Sequence, residues 1–184
     1  TVPVISAVAG SGINILAAGD VVIDSVANTT DRVLVDGTTT PILIAPQADV
    51  TTETGGLVLV LPTGSLTAND GDADDEALVV SDSGNVLVSA SGDVLLNADV
   101  LGATSHLSLL ASSLTLIAAV DVATTTGDID VVAVTGNVTM DDDSTMVTGD
   151  GSVRIEAAAD LSVGKYRSQR RCQPERRWQC IGCR

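Results

Sequence analysis

One short phrase keeps returning along this chain: Gly, then Asp or Asn, then an apolar–any–apolar triplet. It stands at Gly84-Asn85-Val86-Leu87-Val88, Gly92-Asp93-Val94-Leu95-Leu96, Gly127-Asp128-Ile129-Asp130-Val131 and Gly136-Asn137-Val138-Thr139-Met140. Looser copies are Gly19-Asp20-Val21-Val22-Ile23, Gly151-Ser152-Val153-Arg154-Ile155 and Ala159-Asp160-Leu161-Ser162-Val163. A turn pair followed by a very short strand cannot bury its apolar residues alone. Repeated copies must therefore stack on one another, which points to a solenoid rather than a globule.

The period appears when first strands are aligned at Ile13, Leu57, Val86, Leu107, Ile129 and Val153, the last four being 21, 22 and 24 residues apart. Second strands follow at Val21, Leu66, Val94, Leu114, Val138 and Leu161, and third apolar patches at Val100, Val120–Val122 and Met146–Val147. Two or three strands per unit of about 22 residues predicts an all-β, single-stranded parallel β-helix. In three-residue strands the outer pair points one way and the middle residue the other. Val86 and Val88, or Ile129 and Val131, are thus expected inside, with Leu87 and Asp130 outside. Glycine reaches positive φ freely, and Asp or Asn tolerates the left-handed region and can bond its own following backbone. Gly84 and Asn85, Gly92 and Asp93, Gly127 and Asp128, and Gly136 and Asn137 are the expected corners, and stacking aligns them into ladders.

Three regions follow from the pattern. Residues 1–83 are less periodic, are interrupted by Pro41, Pro46 and Pro62, and read as degenerate coils with longer loops. Within them, Thr67–Ala77 is a polar excursion from one corner. Residues 84–164 are the regular repeats. Residues 165–184 form a basic tail that contains every Cys (172, 180 and 183), Trp178 and Tyr166.

Composition agrees with a slender core. Apolar residues make up 45% of the chain, yet there is no Phe, and an interior of Val, Leu, Ile and Ala leaves only a narrow gap between facing strands. Residues 1–164 hold 23 acids against Arg32 and Arg154, a net charge of −21, while residues 165–184 carry +6. So acidic a body repels nucleic acid and anionic membranes. No segment reaches the roughly 20 apolar residues of a membrane span. Without an initiator Met or a signal peptide, the chain reads as a mature product or an excised fragment. The thiol-free body argues against a disulfide-stapled scaffold.

Residues 84–163 resemble the repeats of filamentous-haemagglutinin-like exoproteins, the large secreted or surface-attached adhesins of bacteria. The Gly-Asp/Asn-apolar-x-apolar phrases carry the resemblance, together with the Ala-rich stretches Ala118–Val122 and Ala157–Asp160. It implies a right-handed β-helix, export to the cell surface or medium, and a role as shaft or adhesive surface. No functional site is carried over. The expected partners are neighbouring coils of a parent protein, or identical chains end to end as a filament or matrix subunit.

Three readings compete for the tail: a nucleic-acid- or membrane-binding segment, a metal site of Cys180-x-x-Cys183 with Cys172, and a shifted reading frame. One CxxC with a stray Cys and no nearby His falls short of the usual four zinc ligands. Removing one nucleotide at the Lys165 codon permits GNIAVNGDVNLNAGGSVLDA, in which the repeat phrase returns in register, so the frame shift is favoured.

Candidate chemistry is sparse. His106 has no nucleophile elbow or triad around it and is assigned to a corner or a solvent face. Asp70, Asp72 and Asp74 alternate as calcium ligands do, but position six of an EF-hand loop would be Asp75 and position twelve Ser81, so only weak calcium binding is expected. No other cofactor is implied. The run Asp141-Asp142-Asp143 reads as solvated. Asp130 and Arg154 are expected to meet as a surface pair. The outward series Asn14, Val58, Leu87, Ser108, Asp130 and Arg154 forms no catalytic patch of a carbohydrate-active enzyme. The Thr67, Thr115, Thr139 series is broken by Val22, Leu95 and Ser162 and makes no ice-binding ladder. The chain is read as non-enzymatic.

Overall fold

The computed structural model describes residues 1–71, 74–117 and 119–168; the tail assignments at Cys172, Cys180 and Cys183 lie outside them. Among the described residues there are only strands, turns and loops. Three parallel sheets account for nearly all of the strands.

Sheet I contains, in spatial order, Val4–Ile5, Val21–Ile23, Leu66–Ala68, Val94–Leu96, Leu114–Leu116, Val138–Met140 and Leu161–Ser162. Sheet II contains Ala7–Ala9, Val50–Thr54, Glu76–Ser83, Asp99–Gly102, Asp121–Thr124, Thr145–Thr148 and Lys165–Ser168. Sheet III contains Ile13–Leu16, Leu57–Leu61, Val86–Ala90, Leu107–Ala111, Ile129–Ala133 and Val153–Ala157. The chain visits sheets I, II and III in rotation, and each new strand pairs in parallel with the strand laid down one circuit earlier. This arrangement is compatible with a β-solenoid. Pairing in sheet II continues through Ser168, four residues beyond Gly164, where the composition changes.

The register follows the sequence alignment. Ile13, Leu57, Val86, Leu107, Ile129 and Val153 lie opposite one another in sheet III. Val21, Leu66, Val94, Leu114, Val138 and Leu161 do the same in sheet I. The strands of sheet III run four or five residues rather than three, so most of them bury three side chains and turn two outward. Among the described residues, buried side chains from all three sheets form one continuous apolar core of Leu, Val, Ile, Ala and Met. Leu57, Leu59, Leu107, Leu109 and Ile129 are among its largest members.

Two departures from the repeat occur in the first half. Val26–Val33 and Thr39–Gln47 form an antiparallel hairpin inserted between sheets I and II, where sequence analysis expects degenerate coils with longer loops. The second is shorter than the expected excursion Thr67–Ala77, because strands claim both its ends, through Ala68 and from Glu76.

Backbone approach between circuits dictates the corner glycines. A Cβ on Gly127 would stand 1.6 Å from the Ser105 carbonyl oxygen, and one on Gly84 would stand 2.1 Å from the Gly55 oxygen. Gly84 also has φ of +133°, a conformation that side-chain-bearing residues avoid. Gly127→Ala is expected to cost more than about 3 kcal/mol, because backbone rather than a flexible side chain must give way. Leu109→Ala should cost about 2–5 kcal/mol as a cavity in the core, whereas outward Leu110→Ala should cost no more than about 1 kcal/mol. Urea unfolding of the three variants measures the differences.

Candidate functional site

The polar chemistry sits at the corners. Where the chain enters sheet III, Asn85 Oδ1 accepts the His106 N–H at 3.1 Å and Asp128 Oδ1 accepts the Ser152 N–H at 2.7 Å. Where it enters sheet I, Asp93 Oδ1 accepts from Ser113 N–H at 3.1 Å and Asn137 Oδ1 from Asp160 N–H at 2.9 Å. These four Asp and Asn residues are the expected corner residues, but their bonds reach the next circuit instead of folding back on their own backbone. A carboxylate or amide at a corner thus ties circuits together where ladder bonding is interrupted.

His106 occupies one rung of this series. Its Nδ1 accepts the Asp128 N–H at 3.1 Å, and the same nitrogen lies 3.4 Å from Asp128 Oδ2. The first contact needs a lone pair on Nδ1 and the second a proton. The backbone bond fits the pattern of Asn85 and Asp128 around it, so His106 is a corner acceptor with its imidazole exposed to solvent. Asp130 and Arg154 meet as expected: Nε–Oδ1 is 2.7 Å, and Arg154 also reaches Glu156 at 3.2 Å. The bond to Asp130 raises the Arg154 pKa further, yet so exposed a pair contributes little to stability.

Buried threonines serve the turn from sheet II into sheet III. Thr124 donates to the Ser105 carbonyl at 2.8 Å, Thr148 donates to the Gly127 carbonyl at 2.6 Å, and each hydroxyl accepts the N–H of the Gly three residues on. In the preceding circuit the same places hold Gly102 and Ser105. A Cβ on Gly102 would lie 2.8 Å from Ser105 Cβ, so this circuit fills the shared space from the other side. Ser105 Oγ is buried there without a hydrogen-bond partner.

The corner from sheet I to sheet II departs furthest from the repeat. Here Asp24, Asn69 and Asn97 form a side-chain ladder, with Asn69 Nδ2 donating to Asp24 at 2.9 Å and Asn97 Nδ2 to Asn69 at 2.8 Å. The hairpin leaves and returns at this corner. The acidic loop of the next circuit closes against its base, where a Cβ on Gly71 would stand 2.4 Å from Ser25 N and 2.8 Å from Ala48 Cβ. The hairpin tip is a turn: Gly37 N–H bonds the Leu34 carbonyl at 3.0 Å, Leu34 N–H bonds the Thr38 carbonyl at 2.8 Å, and Gly37 has φ of +82°. Asp36 receives both the hydroxyl and the N–H of Thr38, which hold its carboxyl below its ordinary pKa. At this tip Val33 and Val35 stand 69% and 110% exposed, and Leu43, further down the hairpin opposite Thr29, stands 81% exposed.

Asp49, Asp74 and Glu76 converge below the hairpin, with carboxylate oxygens within 4.8 Å of one another. Of the sequence candidates for calcium, only Asp74 belongs to this group. Asp70 does not, and Asp72 lies outside the described residues. Oxygen-only donors of this kind suit a hard cation such as Ca²⁺. Asp49 was missed because it lies 25 residues before Asp74 and reaches it only through stacking. The acidic line continues along sheet II, where Asp99 Oδ1 accepts the Asp121 N–H at 2.7 Å.

Burial raises the Asp99 carboxyl above its ordinary range, the Asp121 N–H opposes this, and the charges of Asp121 and Asp75 add to the rise. A raised acid favours the fold when protonated. Its contribution is complete below the unfolded value of about 3.9 and is lost as pH climbs through the folded value. Asp99→Asn keeps the acceptor oxygen, so it should melt above the parent at pH 7, and the difference should close below about pH 4. Circular dichroism melts at the two pH values test this. No protein-family model, curated protein or solved structure matches the chain.

Proposed function

We propose that this chain is a non-enzymatic structural or adhesive repeat segment of a secreted or cell-surface bacterial exoprotein. It is read as a right-handed parallel β-helix with coils of about 22 residues, of the filamentous-haemagglutinin-like kind, acting as a rigid spacer that presents an exposed element. One observation carries the reading: inward positions in successive circuits are apolar and in register, while polar corner side chains bond circuit to circuit. Such a stack resists bending because every circuit is held by ladder bonds in three sheets at once. The hairpin supports the presenting role, since it leaves the stack and holds apolar side chains in solvent at its tip. Asp130 and Glu156, carboxylates facing out from sheet III, are both engaged by Arg154, which suits a surface cluster better than general acid–base chemistry.

A second reading is a self-assembling filament or matrix subunit, and the ends favour it. Ile5, Ala7, Ala9 and Ile15 in the first circuit, and Val153, Ile155, Ala157 and Val163 in the last, are core-facing residues that are only partly buried. Negative-stain electron microscopy of the purified chain separates the two readings. Dispersed rods about 30–35 Å long, at about 4.8 Å per coil, are expected for a spacer, and long regular fibres for a subunit. A far-ultraviolet spectrum dominated by helix would overturn both.

A further inference from the structure

At the corner into sheet III, backbone and side chains bond in opposite directions along the stack. The carbonyls of Asn85, His106, Asp128 and Ser152 accept the N–H groups of Leu57, Val86, Leu107 and Ile129 in the circuit before, each at 2.9 Å. The N–H groups of His106, Asp128 and Ser152 go to side chains of that preceding circuit, Asn85, His106 and Asp128 in turn. These acceptors differ in chemistry. An amide oxygen accepts in every protonation state, and a carboxyl group keeps an acceptor oxygen when it takes a proton. A neutral imidazole has one acceptor nitrogen, and a proton there abolishes it. The corner into sheet I is built the same way on oxygen acceptors, from Asp20, Ser65, Asp93 and Asn137. Among these described corner acceptors, His106 is the rung that a proton can remove.

Its surroundings supply an alternative bond. Asp128 offers Nδ1 two groups, its backbone N–H at 3.1 Å and its Oδ2 at 3.4 Å. Asp128 Oδ1 meanwhile accepts the Ser152 N–H at 2.7 Å, which holds the carboxylate beside the ring. The imidazole is 60% exposed, so a proton reaches it directly from solvent. Other charges stand further along. The circuit before contributes Asp82, whose carbonyl accepts from Thr104, and the circuit after contributes Asp130, which is engaged by Arg154. Neither Leu107–Ala111 nor Val86–Ala90 contains a charged residue.

We propose that His106 and Asp128 form a proton-operated switch between two circuits of the stack. In the neutral ring Nδ1 accepts the Asp128 N–H, and the ring proton sits on Nε2. A proton taken from solvent at Nδ1 turns that atom into a donor. It releases the Asp128 N–H to water and bonds Asp128 Oδ2 instead. Both states keep the circuits linked, through a backbone N–H in one and through a side-chain carboxylate in the other. The carbonyl bonds of the column are untouched, so the exchange stays at the corner while the ladder of sheet III holds. Histidine as a residue type changes charge between about pH 5 and 8, a range in which the oxygen rungs keep their acceptors. The switch needs only the stacked corner, and it is independent of whether the stack serves as a spacer or as a filament subunit.

Nuclear magnetic resonance of the full isotope-labelled chain, in reducing buffer from about pH 8 to about pH 5, tests this. At the alkaline end the imidazole nitrogens should report the proton on Nε2. As the ring titrates, the Asp128 amide and the Asp128 carboxyl carbon should both shift with its midpoint. Protection of that amide against hydrogen exchange should fall about tenfold or more, while the His106 amide, held by Asn85, stays protected. His106→Asn copies the Asn85 rung, so its Asp128 amide should keep its protection throughout. A proton on Nδ1 at the alkaline end, or an Asp128 amide or carboxyl carbon that ignores the titration of the ring, would overturn the switch. So would equal loss of protection at the His106 amide, or the same Asp128 response in His106→Asn. The readings on the unaltered chain decide the matter even if the variant does not fold.

Discussion

Everything in this molecule depends on how closely one circuit of backbone lies on the next. Parallel strands pair about 4.8 Å apart, and that distance leaves no room for a Cβ wherever a corner crosses the carbonyl of the circuit before it. Gly127 and Gly84 follow from that spacing, as does the buried Thr124 hydroxyl, which bonds a carbonyl that no ladder N–H reaches. Short strands from three sheets share one core, and among the described residues Leu, Val, Ile, Ala and Met side chains fill it.

Polar residues at the corners turn a local preference into a long-range one. Asp and Asn suit turns because their side chains can satisfy nearby backbone groups. In the stack the nearest unsatisfied N–H belongs to the following circuit, and Asn85, Asp93, Asp128 and Asn137 all bond there. The same closeness has a cost where carboxylates accumulate, as at Asp99, which burial and its acidic neighbours hold above the ordinary range.

Much of the core was legible. The alignment of Ile13, Leu57, Val86, Leu107, Ile129 and Val153 rests on period-two alternation and turn residues, both local properties, and the register reproduces it. The hairpin was harder to see. Asp36-Gly37 between apolar runs is a hairpin signal in its own right, but Pro41 and Pro46 made the surrounding segment look like interrupted coil. The second outward column of sheet III was missed because the repeated phrase ends at its third residue, while pairing continues for two more.

The sequence by itself determined where the repeated strands of sheets I and III begin and which side of them faces the core, because alternation and turn chemistry are properties of neighbours along the chain. Only the tertiary structure decided which distant residues share a column. Asp49 meets Asp74 and Glu76, Arg154 meets Asp130, and Leu16, Val60, Leu110 and Val132 line up on one face because stacking sets the partner of each residue. That partner lies 21 to 44 residues away in sheet III, and the interval changes wherever a hairpin or loop is inserted. No local pattern encodes a distance that varies in this way.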